Sequence, residues 1–110
     1  MEPQNSSSLE LTAVVAELKS SLVGVDFPGM IPQVCSRLER SLVGLSELPV
    51  LLPYVVEVHK QLRLIGLDLS RWQVIKQPQA RSPYQQQIFQ RLELLLSYCE
   101  SMIEELSPLN

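Results

Sequence analysis

His59 is the only histidine in the chain, with Glu57 two residues before it and Lys60 directly after. An imidazole near a carboxylate can act as a general base, but it needs a nucleophile or a polarising group in reach. Glu57, His59 and Lys60 match no catalytic spacing, and the histidine reads as a helix-flank residue. Cys35 and Cys99 are far apart in sequence and have one histidine between them, which is no usual zinc spacing. Each cysteine falls on an apolar ladder, so both read as buried thiols, and a reducing cytosol disfavours a disulfide. The four glycines, at 24, 29, 44 and 66, form no phosphate-cradling loop. Glu100 and Glu104 stand one helical turn apart, but outside the apolar positions, as a solvated acidic face. No catalytic residue, metal or cofactor is expected.

The remaining chemistry is that of contact. Lys60, Leu64, Leu67, Arg71 and Val74 follow one another at steps of 4, 3, 4 and 3, with Arg63 on the border. On a helix these residues share a face, mixed apolar and basic. In a simple bundle the face away from the core is polar. An apolar stripe flanked by cations is either a surface for another protein or the sign that this helix is buried on two sides of its own monomer.

The helix that carries the stripe is the most regular segment of the chain. Leu51, Val55, Val58, Leu62, Ile65, Leu69 and Trp72 alternate steps of 4 and 3, a spacing a strand cannot use. A helix over 51–76 would be roughly 39 Å long at about 1.5 Å per residue. It needs neighbours. The first helix starts at the serine cluster Ser6 to Ser8 and runs to about Val23, with Leu11, Val15, Leu18 and Leu22 inward. The second covers 31–48, with Ile31, Cys35, Leu38, Leu42 and Leu45 inward, and Pro49 ends it. The residues 77–81 form a loop. The fourth helix takes Ser82 as N-cap, Pro83 at its first position and Gln85 as the capping-box partner, then presents Ile88, Leu92, Leu95, Cys99, Met102 and Leu106. Gly66, inside the third helix, marks a close helix approach, a slight bend or a tolerated neutral position.

The fold class that follows is all-α, an antiparallel four-helix bundle with two long C-terminal helices. Residues 1–8 read as a flexible tail and 9–107 as a single domain. The chain has 110 residues, 45% of them apolar and 19% charged, with net charge −3. This composition is globular, and its balance argues against nucleic acid as a partner. No apolar run is long enough for a membrane span, and the first eight residues lack the features of a signal peptide, so a cytoplasmic protein is expected.

His59-Lys60-Gln61-Leu62-Arg63-Leu64-Ile65, followed by Asp68 and the aromatic Trp72, resembles the cyanobacterial heterocyst frequency control protein PatD family. The run from Gln90 to Glu100 is similar to the family's C-terminal helix, with its arginine-leucine pair and its tyrosine-cysteine pair. The likeness covers roughly the second half of the chain; the loop at 77–83 and the N-terminus differ from the family pattern. The resemblance implies a small cytosolic regulator that modulates heterocyst commitment and acts on the assembly of the tubulin-like division protein FtsZ. It points to Lys60, Arg63, Leu64 and Asp68 as contact residues, to which the stripe adds Leu67 and Arg71. A homodimer is expected as well. The competing reading is a helical dimerisation or adaptor module with a different protein partner. A less favoured one is a nucleic-acid binder using Lys60, Arg63, Arg71, Lys76 and Arg81.

Overall fold

The computed structural model describes the backbone of residues 3–23 and 29–106, and the side chains of 10–20 and 29–106. It contains four helices and, among the described residues, no strand: α1 Pro3–Val23, α2 Ile31–Leu45, α3 Leu52–Val74 and α4 Pro78–Leu106. They pack in a ring, α1 against α2 and α4, α3 against α2 and α4, and among the described residues no Cα of a diagonal pair comes within 8 Å of the other helix. The α3–α4 contact is the most extensive and the α2–α3 contact the least. The whole measures 50 × 23 × 18 Å.

One apolar cluster joins all four helices. It is made of Leu11, Val14, Val15 and Leu18 from α1, the α2 ladder without Cys35 but with Val34, and Leu51, Val55, Val58, Ile65 and Leu69 at and along α3. From α4 it takes Ile88, Leu92, Leu95, Cys99 and Met102. These are the residues that the 3-and-4 spacing places on one side of each helix. Leu62, Leu106 and Cys35 sit at the margin, half-buried. The side chain of Leu22 of the first ladder and the segment 24–28 lie outside the described residues.

Helix boundaries depart from the sequence expectation in four places: the start of α1, the end of α2, the end of α3, which stops at Val74 and not at residue 76, and the start of α4. α1 already starts at Pro3, within the stretch read as tail, so the serines at 6–8 are helical rather than a cap. At 21 residues α1 is nearly as long as α3 with 23, and α2 with 15 is the short one. α2 closes at Leu45, three residues early. The amides of Ser46 and Leu48 donate to the carbonyls of Leu42 and Leu45 at 3.0 and 3.1 Å, and this tightened turn leads into Pro49. Gly29 turns the chain into α2 with a φ of 43°, a left-handed angle that other residues avoid.

The fourth difference is the start of α4. It begins at Pro78, not after Ser82, and Pro83 lies inside it. Pro78 takes the first helical position, where a missing N–H costs nothing. The Gln77 carbonyl accepts the amides of Ala80 and Arg81 at 3.1 and 3.2 Å. The connection from α3 shrinks to residues 75–77. Arg81 binds this corner together: its Nε donates to the Ile75 carbonyl, and its guanidinium lies over the Trp72 ring, 4.5 Å from the centroid. Trp72, expected in the core, is half-buried beneath that cation.

Gly66 allows no close approach. A Cβ built there meets nothing within 4 Å. Gly66→Ala therefore adds helix propensity without a clash, and urea unfolding should show a gain of about 0.5–1 kcal/mol. A loss would mean that the position is crowded after all.

Candidate protein-binding surface

Of the stripe residues, Leu67 is 50% exposed and Val74 75% exposed, and Lys60, Arg63 and Arg71 are exposed. α3 is therefore not buried on two sides at these positions. Leu64 is half-buried, rotated off the open face. Val56, which the sequence pattern left out, is 56% exposed and lies one turn before Lys60, so the open face runs Val56, Lys60, Arg63, Leu67, Arg71, Val74. At about 1.5 Å per residue it is roughly 27 Å long. Its first half borders an open groove between α2 and α3, lined among others by Cys35, Glu39, Val56, His59, Lys60 and Arg63.

Asp68 does not belong to that surface. It is 4% exposed, and its Oδ2 accepts a hydrogen bond from Arg91 Nε on α4 at 3.0 Å. Arg91 Nη1 donates to Gln61 Oε1 at 3.2 Å, and Gln61 is also buried. Gln61 and Asp68 lie seven residues apart, on the side of α3 that meets α4, so one arginine holds both. The motif aspartate is thus a brace between the two helices. In a list of apolar ladders these three residues carry no inward signal; only the heptad separation of Gln61 and Asp68 hints at a shared face.

The other charged pairs lie at the helix flanks. Arg37 on α2 pairs with Glu17 on α1, and Lys19 on α1 with Glu100 on α4 at 3.3 Å. Glu100 thus answers α1. Arg81 is engaged at the Trp72 corner, which removes it from any outward basic set. Among the described residues, no group of three or more His, Cys, Asp or Glu could hold a metal ion, and no helix is long and apolar enough to cross a membrane.

Both thiols are held protonated. Burial pushes Cys35 up to about 11 and Cys99 to about 12, with Glu39 and Glu100 adding to the respective shifts. At pH 8 only about one Cys35 in a thousand is thiolate, and fewer still for Cys99. Iodoacetamide at that pH should modify Cys35 slowly, at the groove, and Cys99 only once denaturant opens the fold, as mass spectrometry of the peptides will show. Fast modification of Cys99 in the native protein would contradict its burial.

No family model matches the chain, and no curated protein or solved structure matches it significantly.

Proposed function

We propose that this protein is a non-enzymatic cytoplasmic regulator that binds FtsZ through the outward face of α3, modulates its assembly and so influences cell division and heterocyst commitment in cyanobacteria. One observation carries the reading: Leu67 and the cations Lys60, Arg63 and Arg71 stand exposed along α3 on the segment, 59–72, whose residues resemble the PatD motif, with Val56 and Val74 exposed just beyond its ends. Exposed apolar area beside cations that have no ion-pair partner among the described residues is the chemistry of a protein contact. Lys60, Arg63, Leu67 and Arg71 make that contact, with Leu64 at its edge; Asp68 supports it from inside.

The reading includes an arrangement in which neighbouring helices run antiparallel and α3 and α4 form one long hairpin. Two facts support it. Only residues 75–77 join the two helices, and Arg91, near the middle of α4, reaches Gln61 and Asp68 near the middle of α3. A hairpin braced in this way presents the stripe as a rigid rod, so a partner loses little affinity to ordering it.

Sedimentation of assembled FtsZ with the full chain tests the function. The wild-type chain changes the pelleted fraction, and Leu67→Asp with Val74→Asp abolishes the change while the helical circular dichroism stays. If wild-type protein leaves FtsZ untouched, or the double variant acts like wild type, the reading is wrong.

The dimerisation reading has its own support elsewhere. Val43, Val50 and Leu52, at 72%, 57% and 47% exposure, stand around the α2–α3 connection. A homodimer meeting there would leave the α3 stripe open, and light scattering of Val50→Asp would register its loss.

A further inference from the structure

All the exposed charge on α3 has one sign. Lys60, Arg63 and Arg71 are exposed, and none has an ion-pair partner among the described residues. Of the helix's two carboxylates, Asp68 is paired with Arg91 inside, and Glu57, three residues before Lys60, is half-buried. This happens in a chain of net charge −3. Screening reduces the reach of distant charges to about 8 Å at physiological ionic strength, so a partner on the stripe meets the local cations rather than the molecular net charge. Among them stand the exposed aliphatic groups Val56, Leu67 and Val74, with the exposed His59 and Ser70 beside them and Glu39 of α2 across the groove from Lys60 and Arg63.

Resting on the reading that this face is the partner site, we infer that its occupant is an acidic amphipathic segment of the partner protein. Aliphatic side chains of that segment lie against Val56, Leu67 and Val74, and its carboxylates meet Lys60, Arg63 and Arg71. A second copy of this chain is the wrong occupant. With antiparallel α3 helices crossing at Leu67, a two-fold axis sets Arg63 of one protomer against Arg71 of its partner. A parallel pairing sets each cation against itself. Either way like charges meet at close range, which disfavours the complex. An anionic bilayer is also poorly matched. The stripe has no aromatic residue and only three cations, and its helix is packed into the bundle along its other side. The arginines can grip carboxylates through two parallel hydrogen bonds, which gives an acidic segment register as well as attraction.

The test uses the full chain, wild type and the variant Lys60→Glu, Arg63→Glu, Arg71→Glu; all three sites are exposed, and circular dichroism checks the fold. The probes are two labelled helical peptides with leucine at steps of 3 and 4, one with glutamate at the flanking positions and one with lysine. Fluorescence anisotropy should show wild-type protein binding the glutamate peptide, with affinity falling about tenfold or more from low to high salt. The variant should prefer the lysine peptide. The inference is overturned if wild-type protein ignores the glutamate peptide at low salt, if the variant binds it equally well, or if phosphatidylserine vesicles retain wild-type protein more strongly than the peptide does. It is also overturned if the reversal dissociates a wild-type dimer. FtsZ sedimentation run beside it separates the two readings. Peptide selectivity without any effect on FtsZ sinks the FtsZ assignment alone, and an FtsZ effect that survives charge reversal sinks the acidic-segment assignment alone.

Discussion

Arg91→Met should lower the free energy of unfolding by about 3 kcal/mol, near the low end of what breaking a buried ion pair costs. The side chains of Arg91 and Asp68 are 19% and 6% exposed, so water reaches the arginine a little and the aspartate hardly at all. Removing the cation strands the Asp68 carboxylate and the Gln61 carbonyl oxygen between α3 and α4, where neither has another hydrogen-bond donor among the described residues. The attraction that the pair loses matters less than the cost of leaving a carboxylate in that position without a donor. In a domain of this size 3 kcal/mol corresponds to a melting temperature lower by about 10–15 °C. Adding Asp68→Leu should recover most of the loss, because two apolar side chains leave no stranded charge. Denaturant titration of the two single variants and the double variant measures the coupling. If Arg91→Met costs less than about 0.5 kcal/mol, in the range of exposed pairs, the brace is solvated and contributes nothing to holding α3 against α4.

Leu92→Ala should cost about 3–5 kcal/mol, and Leu94→Ala, two residues on, less than about 1 kcal/mol. Both belong to the run Leu92-Glu93-Leu94-Leu95-Leu96 and look alike in sequence. Leu92 is 0% exposed, in the cluster that joins the four helices, and Leu94 is 44% exposed. Truncating Leu92 removes buried methyl groups and leaves a cavity that the surrounding helices fill only in part. Truncating Leu94 mostly removes atoms that water already touched. The same denaturant titration measures both. Equal losses would mean that α4 is rotated so that Leu94 faces the core as Leu92 does.

Much of the helical architecture was legible beforehand. The third ladder, Leu51 to Trp72, lies at the start of and along α3, and its first three residues and Ile65 and Leu69 are buried. The third-helix stripe was legible as a face, and Leu67, Arg63, Lys60 and Arg71 are exposed on it. Its exact members were not: Val56 joins it and Leu64 leans away, because a repeat of 3 and 4 fits two adjacent rows on a helix nearly equally well. Asp68 was read as a contact residue from the motif alone, and the fold turns it inward. The strongest local signal in the chain, Ser82-Pro83 with Gln85, was overridden. The reason is a contact across the corner, Arg81 on Trp72 and on the Ile75 carbonyl, which carries the helix back to Pro78.

By itself the chain determined that four helices form and most of the apolar residues they turn inward, though Val14 and Val34 join the core from outside the ladders and Cys35, Leu62, Trp72 and Leu106 reach only its margin. Periodicity is a local property, and burial of apolar surface is strong enough to enforce it. Only the tertiary structure decided where the polar side chains go. A carboxylate on a helix flank is equally at home in water or against an arginine, and the choice depends on which residue a neighbouring helix brings within 3 Å of it. Arg91 lies 23 positions beyond Asp68, a separation at which no local pattern connects them. That pairing turns Asp68 inward, and with it α3 leaves only cations among its exposed charges.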